Sequence, residues 1–136
     1  MKIAEIMTKR VATVEMDDTL DVVQDLFHKA RFHHLLVVDE DGALVGLISD
    51  RDLLKALSPY LGTGAEQERD RFTLAKHAHQ IMTREPVVVR PEVEAREAAR
   101  MLVTRGFSCL PVVTAEGEIV GIVTWRDLLK KLIDRL

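Results

Sequence analysis

A serine or threonine followed three residues later by an aspartate occurs twice, each time where an apolar run gives way to a helical pattern. The pairs are Ser49 with Asp52 and Thr124 with Asp127. This spacing is typical of a capping box, in which hydroxyl and carboxylate oxygens accept from free backbone N–H groups of the first helical turn. A helix N-terminus also favours an anion such as phosphate. The pairs are therefore predicted to cap helices, either alone or beside a ligand.

Two adjacent histidines, His33 and His34, precede an apolar run, and the equivalent residues later in the chain are Ser108 and Cys109. Imidazoles with an ordinary pKa of about 6.5 are partly protonated at neutral pH and can attract phosphate. Adjacent histidines at a strand end can equally face solvent. The lone cysteine lies in the apolar run FSCLPVV, which favours a buried thiol over a nucleophile. The two regions should therefore not bind an anion equally.

These residues belong to an internal repeat. Ile6–Leu57 aligns without gaps to Ile81–Leu132, and about 17 of about 52 positions are identical. The best-matched stretch is G-h-h-[ST]-x-R-D-L-L-K, where h is apolar, at Gly46–Lys55 and Gly121–Lys130. One copy of about 50 residues would bury only about 60% of its surface, so we expect the copies to pack together.

Each copy has the pattern of a β-α-β-β-α unit. In the first copy, Val11–Val14 is predicted to be a strand, and Thr19–Ala30 has the apolar spacing of one helical face. The runs LLVVD and ALVGLIS flank the turn residues Glu40-Asp41-Gly42, which indicates a hairpin. The last helix begins near Ser49, and its equivalent near Thr124.

The repeat predicts three segments in chain order: a first domain at residues 1–58, an exposed linker at 59–73 and a second domain at 74–136. Ser-Pro and Gly-Thr-Gly open the linker, and its middle, Glu66–Arg71, is highly charged. A helical pattern over Leu74–Met82 is expected to give the second copy a short preceding helix.

The composition excludes several classes of protein. Of 136 residues, 47% are apolar and 30% charged, which is enough apolar material for a globular core. A formal net charge of -3 argues against nucleic acid as the main partner. We expect a cytoplasmic protein without a membrane partner, because no apolar run approaches about 18 residues and MKIAEIMTKR lacks a signal-peptide layout. No metal ligands or catalytic residues are predicted, since the five histidines are scattered and no nucleophile elbow or Walker A loop occurs.

The chain resembles a tandem pair of CBS domains, the Bateman module named after cystathionine beta-synthase. The likeness rests on IMT before each first strand, on HLLVVDEDGALVGLISDRDLL and on CLPVVTAEGEIVGIVTWRDLLKKL. It implies an α/β fold of two β-α-β-β-α repeats that pack on each other through their sheets with pseudo-twofold symmetry. It also implies a sensory module that binds an adenine nucleotide in the cleft between the repeats.

The resemblance assigns ligand roles to residues of both copies. Asp52 and Asp127 are expected at the ribose hydroxyls, and Ser49 and Thr124 near the phosphates. The remaining expected ligand residues line the adenine or point toward phosphate; they are Thr8, Ala12, Thr83, Val87, His33, His34, Ser108 and Arg126. An exposed helical arginine is the alternative for Arg126.

The copies also depart from each other. Leu36 stands where the family often has proline, as at Pro111, and Trp125 stands where the first copy has Asp50. Trp125 is expected either to stack on a base or to pack against a partner.

The resemblance thus implies a non-catalytic sensor for AMP, ADP, ATP or a related adenosine ligand, which acts as a regulatory ligand rather than a cofactor. Surplus apolar residues on the last helix of each copy favour a homodimer. The other expected partner is a separate effector protein that responds to ligand binding. The alternative is a ligand-free structural module that serves dimerisation.

Overall fold

The computed structural model describes residues 1–30 and 32–136, which form a mixed α/β fold as predicted. In chain order the elements are α1 (Ile3–Ile6), β1 (Thr13–Glu15), α2 (Leu20–Ala30), β2 (His34–Val38), β3 (Leu44–Ser49), α3 (Asp50–Ala56), α4 (Glu68–Arg71), a 3-10 turn (Phe72–Ala75), α5 (Ala78–Ile81), β4 (Thr83–Arg84), α6 (Ala95–Arg105), β5 (Cys109–Val113), β6 (Ile119–Thr124) and α7 (Trp125–Ile133).

The chain divides into two compact units. The N unit is Ala12–Glu85, and the C unit combines Met1–Val11 with Pro86–Leu136. Each unit holds most of one repeat and has its own apolar core.

In the N unit, the strands form one sheet in the order β1-β2-β3-β4. β1 runs parallel to β2, and the other neighbours are antiparallel, so the predicted β2–β3 hairpin is confirmed. The Asp39 carboxylate accepts from the N–H groups of Asp41 and Ala43, and Gly42 has a φ of 81°. That left-handed conformation favours glycine and allows the tight turn between the strands.

The core of the N unit forms where α2 covers the sheet. Leu20, Val23 and Phe27 share one face of this helix and are all buried. They belong to one cluster with Leu35 and Ile48 from the hairpin. Because β2 is covered, its apolar residues do not alternate with polar ones, as expected for a strand buried on both faces.

The C unit repeats this plan with a shorter first strand. β5 and β6 form the antiparallel hairpin, and α6 ends at Gly106, which has a φ of 70°. The equivalent of β1 is a single parallel bridge between Val89 and Val112. Val89 still donates to Pro111 O at 3.0 Å and accepts from Val113 N at 2.9 Å, so the β-α-β-β-α order is retained.

The short segments that precede each repeat are exchanged between the units. Ile3 of α1 is fully buried in the C unit core, and Ala78 of α5 is fully buried in the N unit core. The units therefore differ from the boundaries predicted in chain order, because residues 1–11 join the second repeat and residues 74–85 join the first. The helical pattern predicted over Leu74–Met82 forms α5 over Ala78–Ile81, and its apolar residues pack into the core of the first repeat rather than the second.

The glycine of each G-h-h-[ST] motif explains this exchange. A Cβ at Gly121 would lie 2.7 Å from the backbone oxygen of Thr8, and a Cβ at Gly46 would collide with the Met82 side chain. Each glycine thus gives the exchanged segment room to lie against the hairpin. In the C unit that segment also pairs as a strand, since Thr8 and Ile122 exchange backbone hydrogen bonds of 2.8 and 2.9 Å.

Most residues of the predicted exposed linker are exposed, and the segment contains the short helix α4 and one buried side chain. The carboxylate of Asp70 is buried and accepts from Gln67 N and Ser58 Oγ, both at 2.8 Å. These hydrogen bonds, with Gln67 N contributing most, lower the pKa of Asp70. Asp70 therefore links Ser58, which precedes the linker, to Gln67 within it.

Within residues 1–30 and 32–136, no helix has the length and apolar character needed to cross a membrane.

Candidate functional site

The residues assigned to ligand binding divide evenly between the two units. The C unit holds Thr8, Val87, Ser108, Thr124, Arg126 and Asp127, and the N unit holds Ala12, His33, His34, Ser49, Asp52 and Thr83. The exchange of the short segments brings Thr8 to the second repeat and Thr83 to the first. Each unit consequently carries one complete set, drawn from both copies of the sequence.

In the C unit, Asp127 is the centre of the set. It lies in the first turn of α7, is 7% exposed, and accepts from Thr124 N at 2.9 Å. Thr124 Oγ1 in turn accepts from Asp127 N at 3.5 Å, which completes the predicted capping box. Thr8 Oγ1 donates to the other carboxylate oxygen of Asp127 at 2.7 Å. The carboxylate thus joins the helix cap to the exchanged segment.

In the N unit, Asp52 has the same position in α3, and within the part of the chain that the structure describes it accepts fewer hydrogen bonds than Asp127. Asp52 Oδ2 accepts from Ser49 N at 2.8 Å, and Ser49 Oγ accepts from Asp52 N at 3.1 Å. Both predicted capping boxes are therefore confirmed. Asp52 is only partly buried, and Thr83, the equivalent of Thr8, is exposed on β4 opposite Leu47.

The histidines differ from each other in environment. His33 is exposed, and its Nδ1 lies 3.0 Å from Asp50 Oδ2. His34 is partly buried where β2 begins, and burial lowers its pKa despite opposing attraction from Asp50. The sequence predicts that the imidazoles point toward phosphate or face solvent, and it assigns no role to Asp50. Asp50 is 17 residues from His33 in the chain, so no local pattern indicates their contact.

The equivalent positions of the C unit are uncharged. Cys109 is buried across from Thr124, and burial, with a smaller contribution from Asp127, raises the pKa of its thiol to about 12. The thiol therefore stays protonated, which agrees with the expected buried cysteine. Trp125 is 44% exposed at the start of α7, and Arg126 beside it is also exposed.

These arrangements place oxygen acceptors at the start of two helices. Carboxylate and hydroxyl oxygens at a helix start can accept from the hydroxyls of a sugar. Across residues 1–30 and 32–136, no three histidine, cysteine, aspartate or glutamate side chains are placed to hold a metal ion. A groove of about 610 Å³ lies elsewhere in the C unit, and its walls include Glu94, Ala99 and Leu132 but none of the candidate ligand residues.

The comparison with protein families agrees with the repeat and with the fold. The model of the CBS domain matches residues 3–59 and 78–134, which include both capping boxes and both exchanged segments. The chain belongs to the CBS domain family. A CBS domain-containing protein of Dictyostelium discoideum is 36% identical over 132 residues, which is 96% of this chain and 90% of that protein.

Two solved CBS structures contain adenine nucleotides. CBSX2 of Arabidopsis thaliana in complex with AMP is 30% identical, with a TM-score of 0.80, and the match covers 98% of this chain and 97% of that one. The cytosolic domain of the Mg2+ channel MgtE in complex with ATP is also 30% identical, with a TM-score of 0.75. That match covers 96% of this chain and 48% of the other. CBS pairs similar to this chain therefore bind adenine nucleotides.

Proposed function

We propose that this protein is a non-catalytic sensor that binds an adenosine-type nucleotide, such as AMP, ADP or ATP, beside the capped helices α3 and α7. The observation that carries the proposal is the complete Thr8–Thr124–Asp127 set, in which a buried carboxylate lies next to two hydroxyls at a helix start. The complexes of CBSX2 with AMP and of MgtE with ATP support it, since both are 30% identical to this chain.

A thermal melt with a nucleotide panel tests the proposal. A ligand at 100 times its dissociation constant should stabilise the folded state by about 2.7 kcal/mol. Adenosine, AMP, ADP and ATP are compared at millimolar concentration with GMP and with buffer alone. An unchanged melting temperature with every adenine ligand would contradict the proposal.

Variants of the carboxylates then test the assigned residues by calorimetry. Asp52→Ala with Asp127→Ala should weaken nucleotide binding, because the ribose hydroxyls lose their acceptors. The matched Asp52→Asn, Asp127→Asn protein keeps an amide oxygen at each place and should lose less affinity. If the alanine protein folds and binds as tightly as wild type, the carboxylates are helix caps only.

The sensor is proposed to act as a homodimer. Leu129, Leu132 and Ile133 of α7 are 51%, 50% and 66% exposed, and apolar surface of this kind usually meets a partner. Light scattering should give about twice the 15.4 kDa chain mass. Leu129→Lys with Ile133→Lys should reduce that mass to one chain, whereas Val103→Lys on α6, an exposed apolar residue outside the last helix of either copy, serves as the matched control. A single-chain mass for wild type at micromolar concentration would refute the dimer.

Ligand occupancy must reach a separate effector protein or the dimer itself. A ligand can shift an equilibrium only by its difference in affinity for two states. The proposed output is therefore a change in dimer stability or partner binding, and a nucleotide hydrolysis assay should show no turnover.

A ligand-free structural module is the second candidate. The fact that favours it is the completeness of both capping boxes, whose hydroxyls and carboxylates are already hydrogen-bonded within the protein. In that case, the nucleotide panel leaves the melting temperature unchanged while the protein remains dimeric.

A further inference from the structure

The two units carry equivalent hydroxyl and carboxylate residues, Thr8, Thr124 and Asp127 in one and Thr83, Ser49 and Asp52 in the other, but different charges around them. In the C unit, Thr8 is followed by Lys9 and Arg10, whereas in the N unit Thr83 is followed by Arg84 and Glu85. Thr8 contacts Asp127 directly, and Lys9 and Arg10 are the two residues that follow it in the chain.

The first turns of α7 and α3 also differ in charge, and again the C unit is the more positive. The first turn of α7 begins with Trp125, Arg126 and Asp127, and that of α3 begins with Asp50, Arg51 and Asp52. We count the charges on the first three residues of each helix and on the two residues after each threonine. By this count the C unit has three cations and one carboxylate. The N unit has two cations and three carboxylates.

The histidine pair does not reverse this difference. His33 contacts Asp50 at 3.0 Å, so a protonated His33 only neutralises that carboxylate, and a neutral His33 leaves it charged. His34 is partly buried and its pKa is lowered, which favours the uncharged imidazole at neutral pH. The N unit therefore offers a phosphate group less positive charge than the C unit does.

We infer that the two sites select ligands by charge: the C unit takes a phosphorylated adenosine, and the N unit takes an adenosine-type ligand without phosphate, with Asp50 as the specificity-determining residue. This inference rests on the proposed function and adds which ligand class each unit accepts. Trp125, the uncharged equivalent of Asp50, removes the repulsion from the C unit.

The test removes the charge of Asp50 without changing its shape. Asp50→Asn should tighten AMP binding in the N unit by about three- to tenfold, the effect of removing one like charge several ångströms from a phosphate in a high-dielectric site. Adenosine has no charge to repel, so its affinity should change by less than about twofold. Asp41→Asn is the matched control, because it removes one carboxylate at the other end of the same hairpin.

The two sites can be followed separately. Trp125 is the single tryptophan of the chain, so its fluorescence reports on the C unit. The backbone amide NMR signals of Ser49–Asp52 report on the N unit. Wild type, Asp50→Asn and Asp41→Asn are each titrated with adenosine and with AMP at pH 7.5, and both signals are fitted.

We expect wild type to bind AMP more tightly in the C unit than in the N unit. Asp50→Asn should reduce this difference in AMP affinity, and Asp41→Asn should not. Equal AMP affinity in the two wild-type units overturns the inference, as does an Asp50→Asn effect matched by Asp41→Asn or by adenosine. These failures leave the proposed function standing, since adenine ligands still bind. Absence of binding by both ligands in both units overturns the proposed function as well.

Discussion

The C unit and the N unit start from nearly the same motif, yet their carboxylates are held differently. Asp127 joins the α7 cap to Thr8 and is buried, whereas Asp52 caps α3 and remains partly exposed. Thr83, the equivalent of Thr8, lies opposite Leu47 in the sheet, and a histidine pair with its own acidic partner lies beside the α3 cap. A repeated motif thus fixes the helix start in both units, while its neighbours decide what else the carboxylate does.

The largest expected difference concerns the two motif glycines. Gly121→Ala should lower the free energy of unfolding by about 3 kcal/mol, because the new Cβ meets the rigid backbone oxygen of Thr8. Gly46→Ala should cost about 1 kcal/mol, since the flexible Met82 side chain can move aside. Urea denaturation of both variants measures this. Equal losses would show that the two exchanged segments are held alike.

Removing the two carboxylates should give the next largest difference. Asp127→Ala should cost about 2 kcal/mol, because it removes a buried carboxylate that accepts from both Thr8 Oγ1 and Thr124 N. Asp52→Ala should cost about 1 kcal/mol, the usual loss for a helix cap. The comparison uses ligand-free protein in urea. A larger loss of unfolding free energy for Asp52→Ala than for Asp127→Ala would contradict this prediction.

A smaller effect isolates the contact of the exchanged segment. Thr8→Val keeps the shape of the side chain but removes the hydroxyl that donates to Asp127, and it should cost about 1 kcal/mol. Thr83→Val, its exposed equivalent, should change stability by less than about 0.5 kcal/mol. Thermal denaturation of the two variants under the same conditions shows whether the Thr8 hydroxyl stabilises the fold more than the Thr83 hydroxyl does.

The smallest effect is a pH dependence confined to the N unit. Burial lowers the pKa of His34, with a smaller contribution from His33 and against the attraction of Asp50 and Asp52, so the unfolded chain binds the proton first as the pH falls below about 6.5. Stability should therefore decrease from pH 7 toward 5, by less than about 1 kcal/mol. Cys109, the C unit equivalent, has a pKa of about 12 and adds nothing in this range.

The control for this effect is His34→Gln, which removes the titrating ring. Melting temperatures at half-unit steps should fall less steeply with acid in the variant than in wild type. Parallel curves would mean that His34 does not contribute to the slope.

The local elements were largely predictable from the sequence. Both hairpins, the helices α2 and α7 and both capping boxes follow from apolar spacing and from residues adjacent in the chain. The first strand of the second repeat was predicted less well, since it is a single bridge at Val89. Backbone pairing over so short a stretch depends on the neighbouring strand rather than on local propensity.

The sequence predicted which residues belong to the candidate site but not which of them contact each other. Resemblance to CBS pairs named Thr8 and Asp127, which are distant in sequence, without indicating that they would bond to each other. Asp50 was not assigned a role, because its contact with His33 joins the start of α3 to the residue before β2. Such contacts depend on hairpin register, which places His34 opposite Ser49.

The sequence by itself determined the repeat, the α/β fold class and the capped helix starts, because these depend on apolar periodicity and hydrogen bonds between near neighbours. Only the tertiary structure decided that residues 1–11 complete the second repeat and residues 74–85 complete the first. The reason is packing: the apolar faces of α1 and α5 are too short to form cores of their own, and each is buried where a motif glycine leaves room beside a hairpin.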